Sequence, residues 1–211
     1  TLVMELLGAI AFYLAFKDVG MESLKALWFS IFHSVSAFCT AGFGLFNDSF
    51  ESYSSNAAMN TIISVLAIAG SLGFIVITDL WYRLRGRSKE LSFTTKIVTL
   101  GFVLLLGLGT LLFYYTEPSI RGTEAAWAKS FFQAMTAMTT VGFNSISTGG
   151  LSLSALLFVT FLMYIGASPS GTAGGMKITT LTAMISVLKS RLFGQKRITF
   201  FNRLIPFERL Y

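Results

Sequence analysis

Phe32-His-Ser-Val-Ser-Ala-Phe-Cys-Thr-Ala-Gly-Phe43 returns one hundred positions later as Phe132-Gln-Ala-Met-Thr-Ala-Met-Thr-Thr-Val-Gly-Phe143. Phe32, Ala37, Thr40, Gly42 and Phe43 are identical to their partners, and Ser36 to Thr136 is a conservative change. Each copy reads as a short helical run ended by Thr-x-Gly-Phe, and each lies between apolar stretches long enough to cross a bilayer. A helix that enters a membrane protein and stops at a glycine has few uses. Lining a path for cations with main-chain carbonyls is the leading one.

Composition agrees with a membrane setting. Of 211 residues, 54% are hydrophobic and only 12% charged, against roughly 25% charged in soluble chains. Mean hydropathy is +0.69. The net charge of +6 is clustered rather than spread. Arg83, Arg85, Arg87, Lys89 and Lys96 share one loop, and Lys189, Arg191, Lys196, Arg197, Arg203 and Arg209 lie near the C-terminus. In a soluble protein such clusters suggest nucleic acid; beside apolar spans they follow the positive-inside rule, which places both on the cytoplasmic side and leaves no nucleic-acid partner to expect. Cys39 and His33 are the single cysteine and histidine, so an internal disulfide is excluded and a zinc centre disfavoured. Thr1 stands already inside an apolar stretch, without a leader or initiator Met, which reads as a piece of a longer protein.

The expected fold is all-α and integral to the membrane: tandem span–pore-helix–span repeats, as in K+ channels, with a broken last helix. The first repeat covers 1–82, with a half-helix at 24–38, a turn at 39–44 and a full span ending at Trp81-Tyr82. A basic cytoplasmic loop, 83–96, follows. The second repeat covers 97–193, with a half-helix at 124–138 that Thr123 is placed to cap, and a turn at 139–144. Residues 194–211 form a cytoplasmic segment. Leu151 to Phe193 is 43 residues, which as one helix would reach ~65 Å in a hydrocarbon layer of ~30 Å. The interruption is Gly166-Ala-Ser-Pro-Ser-Gly-Thr-Ala-Gly-Gly-Met-Lys177. Glycines, a proline and hydroxyl residues do not continue a stable helix, so 166–176 reads as a loop at membrane depth that lines a cavity.

The chemistry of the turns follows from dehydration. A potassium ion that leaves water must find other oxygens, and inward-pointing carbonyls supply them without buried acids. Gly42 and Gly142 permit the strained backbone this needs, Thr40 and Thr140 add hydroxyl oxygens, and Phe43 and Phe143 pack outward to hold the ring. The half-helices aim their negative ends at a cation below. The candidate ion-binding residues are therefore Cys39, Thr40, Ala41, Gly42 and Phe43, with Thr139, Thr140, Val141, Gly142 and Phe143. The bland alternative is that each glycine is a helix C-cap. Two matched copies between full spans count against it. On the same bland footing, Cys39 reads as a small packed residue, His33 as a packing or hydrogen-bonding residue, and Asp79 as a local cap or ion-pair partner.

Thr-Ala-Gly-Phe at 40–43, Thr-Val-Gly-Phe-Asn at 140–144 and the 166–177 stretch together resemble the membrane subunits of the Trk/Ktr/HKT potassium transporters. The Gly-Ala-Ser-Pro opening is most similar to the bacterial Ktr type. The resemblance covers essentially the whole chain and, by motif order, matches the second and third of four pore repeats, the first and fourth being absent. It implies a multi-pass potassium transporter of the bacterial plasma membrane, with K+ as the transported ion and Na+ left open as a coupling or activating ion. Gly42 and Gly142 would supply two quarters of a selectivity filter. Glycine there goes with potassium preference, whereas a serine in the first repeat marks sodium-preferring plant relatives. It also implies a homodimer, in contact with membrane lipid, on a cytoplasmic ring of nucleotide-binding regulatory subunits. Finally it implies that the third-repeat loop blocks conduction until it moves.

The loop's own residues agree with a gate: Gly166, Ala167, Ser168, Pro169, Ser170, Gly171, Thr172, Ala173, Gly174 and Gly175 combine flexibility with hydroxyls that can bond the loop's own backbone. Lys177 sets a cation near membrane depth, where it would repel a passing ion. A merely kinked span, with Lys177 reaching for the interface, is the alternative. A Walker-type phosphate loop fails because Met176 separates Gly175 from Lys177. Among functions, a different monovalent cation channel is the runner-up. An intramembrane hydrolase built on Ser168 or Ser170 lacks a partner base, since His33 belongs to another repeat, so no enzyme activity is expected. A non-conducting scaffold would have no need of two matching turns.

Overall fold

The computed structural model describes residues 1–88 and 90–193, and the backbone of 199–200 and 203–204. The expected cytoplasmic segment 194–211, with Lys196, Arg197 and Arg209, therefore lies largely outside the described residues, as does Lys89.

Eight α-helices follow one another among the described residues: α1 Leu2–Asp18, α2 Ser23–Phe38, α3 Ala57–Leu84, α4 Phe93–Thr116, α5 Pro118–Arg121, α6 Ala126–Thr139, α7 Leu153–Tyr164 and α8 Ile178–Leu192. Two, α3 with 28 residues and α4 with 24, are long and apolar enough to cross a membrane, each with a hydropathy of 2.3. Their outward residues, Val65, Phe74, Val103, Leu104 and Leu108 among them, are large, apolar and exposed. That surface is costly in water and ordinary against lipid.

Helix starts are set by side chains that accept otherwise orphaned amides. The amide oxygen of Asn56 takes the Met59 N–H at the head of α3, the Ser92 hydroxyl takes Thr95 N–H at α4, and the Ser152 hydroxyl takes Ala155 N–H at α7. Two carboxylates fasten these caps. Asp79 accepts the Ser92 amide at 2.8 Å, which pins the loop between α3 and α4 and gives Asp79 the local capping role its position suggests. Glu117 holds the Ser119 hydroxyl at 2.8 Å with one oxygen and the Ser152 amide at 2.9 Å with the other, so it joins the starts of α5 and α7. Burial pushes this carboxyl up, but the bonds from Ser152 and Ser119 outweigh it and leave it below the usual carboxylate range.

Thr123 does not cap the second half-helix. Its hydroxyl donates to Ile120 O at 2.8 Å, and α6 begins only after Ala125, whose φ is 58°. The cause is a short helix that the sequence reading did not include. Pro118 with Glu117 as N-cap starts α5, and Thr123 closes that turn instead.

The core gathers around His33. Phe12 and Phe16 of α1, Phe50, and Phe143 from the far half of the chain are all buried around it. Its ring stacks on Phe46 at 5.2 Å and meets Phe50 edge-on at 5.1 Å. Its two nitrogens are both occupied: Nδ1 lies 2.7 Å from Phe29 O, and Nε2 accepts the Leu45 amide at 3.2 Å. His33 is thus a packing and hydrogen-bonding residue.

Candidate functional site

The stretches after α2 and α6 share a backbone pattern. In each, the amide of the threonine bonds back into its helix, Thr40 N–H to Ala37 O and Thr140 N–H to Ala137 O, both at 3.2 Å. Thr40 (φ 50°) and Thr140 (φ 54°) then turn left-handed, and Gly42 (φ 68°) and Gly142 (φ 83°) do so again two residues later. Left-handed φ is unremarkable for glycine but is a genuine outlier for a β-branched threonine. Such outliers persist where the surroundings over-determine them, and they concentrate at functional sites. Neither threonine could be identified as left-handed from residue type.

The two turns also meet. A Cβ placed on Gly42 would lie 2.0 Å from Val141 O and 3.2 Å from the Cα of Gly142. The Val141 carbonyl is therefore aimed at the Gly42 backbone. The environment of Gly142 is more open, with Gly42 Cα at 3.9 Å the nearest atom to a built Cβ. A cleft of about 200 Å³ opens beside Gly142, lined by Thr136, Thr140, Asn144 and Met163 among others.

Each helix braces its own turn from behind. The Ser36 hydroxyl donates to Phe43 O at 2.8 Å, and the Thr136 hydroxyl to Phe143 O at 2.7 Å. The carbonyls of Phe43 and Phe143 thus each give one lone pair to protein. The threonine hydroxyls are committed as well: Thr40 Oγ1 donates to Cys39 O at 2.8 Å and Thr140 Oγ1 to Thr139 O at 2.7 Å. The helix hydroxyls at 36 and 136 are positioning groups that no motif marks; their only signal was the Ser/Thr match between the two copies.

Identical letters do not give identical burial. Phe143 is fully buried against His33 and Phe50, whereas Phe43 is 71% exposed, and Cys39 is exposed while Thr139 is buried. The expectation that Cys39 is packed is corrected accordingly, and Phe43, expected like Phe143 to pack outward and hold the ring, stands outward without the cover that Phe143 has. The second turn leans on the aromatic cluster of the first half of the chain, and no described element covers the first turn in the same way.

The third stretch is a tight excursion. β1 Ile165–Gly166 and β2 Met176–Lys177 pair in parallel, Ile165 with Met176 and Gly166 with Lys177, which closes the neck. Ala167, Ser168 and Ala173 are buried, whereas Pro169, Thr172, Gly174 and Gly175 are exposed, so the protein covers the irregular backbone on one side only. Ser168 and Ser170 bond within the loop: their hydroxyls are 3.3 Å apart, and the Gly171 amide donates to Ser168 O at 3.1 Å. Thr172 behaves otherwise. Its hydroxyl donates to Phe38 O at the end of α2, and the Gly174 amide donates to Thr140 Oγ1 at 2.8 Å. The loop is therefore attached to the helix end before the first turn and to the left-handed threonine of the second. Pro169, Gly175 (φ 77°) and Gly166 complete its path. The Lys177 ammonium donates to Ala173 O, so it straps the loop to itself rather than standing free in a passage.

Two helices long and apolar enough to cross a membrane, beside short helices that end in irregular backbone, are what a helical membrane protein contains. The chain belongs to the family described as "TrkH: Cation transport protein", whose family model matches residues 1–205. It is 38% identical over 210 residues to the potassium/sodium uptake protein NtpJ of Enterococcus hirae, across 96% of this chain and 45% of that protein. It is 34% identical over 213 residues to the Ktr system potassium uptake protein B of Vibrio alginolyticus, across 97% and 46%. Among solved structures, the potassium transporter TrkH from Vibrio parahaemolyticus superposes with a TM-score of 0.78 at 21% identity, over 99% of this chain and 44% of that one. That likeness is one of fold. The chain spans less than half the length of these relatives.

Proposed function

We propose that this chain forms part of a potassium-conducting path in a bacterial plasma membrane. In this reading 1–82 and 97–193 are tandem pore repeats joined by the cytoplasmic loop 83–96. Residues 39–43 and 139–143 are two parts of a carbonyl-lined selectivity filter, and 166–176 with Lys177 is a gate beneath it. The observation that carries the reading is that two repeated turns, each with a left-handed threonine and glycine, come together at Gly42 and Gly142, which brings main-chain oxygens from both halves of the chain to one place. Dehydrated potassium needs several such oxygens around one axis, and the helix hydroxyls of Ser36 and Thr136 hold the backbones that present them.

The protein would translocate an ion and transform no substrate. A homodimer on a ring of nucleotide-binding subunits is part of the same proposal, with the basic loop 83–96 on the side that would face the ring or anionic lipid. Because one relative is described as a potassium/sodium uptake protein, sodium transport is the second reading. Expression of the intact protein in cells that lack potassium uptake separates the two. The account expects growth on limiting potassium and rubidium uptake that excess sodium leaves in place. Sodium uptake without rubidium uptake would establish the second reading instead.

A further inference from the structure

The most unusual backbone outside the two turns lies in α3, where Gly73 has φ 72° and ψ 171° in the middle of a 28-residue helix. Only glycine takes that conformation readily. A helical ladder cannot run through it. In an unbroken helix the carbonyls of Gly70 and Ser71 would accept the amides of Phe74 and Ile75, on the far side of the break. Here they face the loop. Gly70 O accepts the Thr172 amide at 3.0 Å, and Ser71 O accepts the Ser168 amide at 3.3 Å. The approach is too close for any side chain: a Cβ on Gly73 would lie 2.3 Å from Ser170 O, and one on Gly171 would lie 1.7 Å from Ser71 O. Glycines stand on both sides of one contact.

We infer that the break in α3 at Gly73 is the seat of the gating loop, and that Gly73 is a positioning residue that holds the loop closed. The inference rests on the gate reading of 166–176 and adds where the loop is held and by what. Gly73 releases two helix carbonyls, and the loop's amides satisfy them. When the loop departs, those carbonyls must find new donors. The amides of Phe74 and Ile75 are the nearest in the chain, and a return of Gly73 to helical φ/ψ delivers them. Loop release and closure of the α3 ladder are thus a single two-state exchange, in which the carbonyls of Gly70 and Ser71 keep a main-chain donor in both states.

The inference is tested by uptake and by thermal melting of the intact protein in two backgrounds, with the loop present and with it replaced. Gly73→Ala bars the left-handed conformation from the helix side, and Gly171→Ala blocks the contact from the loop side. Each should raise rubidium uptake about tenfold, as expected for the loss of two main-chain hydrogen bonds from the closed state. The double variant should rise no further than either single one, because both remove the same contact. Gly107→Ala in α4, with no atom within 4 Å of its Cβ, serves as the control and should leave uptake unchanged.

The discriminating result is a change of sign. With the loop present, Gly73→Ala lowers the melting temperature. With 167–175 replaced by a short linker, the same substitution raises it, since alanine is the better helix former once nothing occupies the break. Gly73→Ala that lowers the melting temperature in both backgrounds would overturn the inference, as would additive effects of the two alanines on uptake. If the loop replacement itself leaves uptake unchanged, it is the gate reading that fails; if uptake rises on replacement but neither alanine alters it, only the seat at Gly73 fails.

Discussion

Gly42→Ala is expected to lower potassium uptake about a hundredfold, and Gly142→Ala only about tenfold. Both glycines hold a positive φ that costs an L-residue roughly 1–2 kcal/mol, and about 1.4 kcal/mol is tenfold. That strain is the whole penalty at Gly142, where a built Cβ finds its nearest neighbour at 3.9 Å. At Gly42 the Cβ would also fall 2.0 Å from Val141 O, a main-chain atom that cannot swing aside. One turn or the other must retreat, and the carbonyls that the proposed filter needs go with it. Rubidium uptake, normalised to the amount of protein in the membrane, is the measurement. The normalised ratio is the point, because a variant that only fails to insert loses protein and uptake together. Equal losses at the two positions would mean that the contact between the turns does not set transport.

The second large effect concerns the loop. Its neck is already closed by the pairing of Ile165 with Met176 and of Gly166 with Lys177, so 167–175 can be exchanged for a short linker without separating α7 from α8. What is lost are the attachments to Phe38 O, Thr140 Oγ1, Gly70 O and Ser71 O. On the gate reading this raises rubidium flux into proteoliposomes of the intact protein about tenfold or more, since each main-chain bond favours the closed arrangement by roughly 0.5–1.5 kcal/mol. Selectivity between rubidium and sodium should be kept, because the bonds of Ser36 to Phe43 O and of Thr136 to Phe143 O still brace both turns once the loop's bond to Thr140 Oγ1 is gone. Flux that is unchanged, or that rises with loss of selectivity, would go against the division of labour between turns and loop.

How much of this could be read from residues alone differs from element to element. Gly42 and Gly142 were legible because glycine has few reasons to follow a half-length helix twice at the same register. Thr40 and Thr140 stood out as matched, but residue preferences reserve the left-handed region for glycine and gave no warning of their φ. The loop at 166–176 was plain from its composition, yet its attachments were not. Thr172 reaches α2, and Gly174 reaches Thr140, through contacts 134 and 34 residues apart in sequence. The break at Gly73 was invisible, since a glycine in an apolar span is common and usually stays helical. Phe43 and Phe143 mark the limit most clearly. They are the same residue in the same motif, yet one is 71% exposed and the other buried, because burial depends on which helix happens to stand behind.

The central claim is that potassium is held by main-chain oxygens of the two turns on a shared axis. Anomalous scattering from thallium, an electron-rich stand-in for potassium, located in crystals of the intact protein, tests it most directly. The account predicts a peak between the turns, within coordination distance of carbonyls from both 39–42 and 139–142. A peak elsewhere, with the turns facing lipid or bound to nothing but each other, would contradict it.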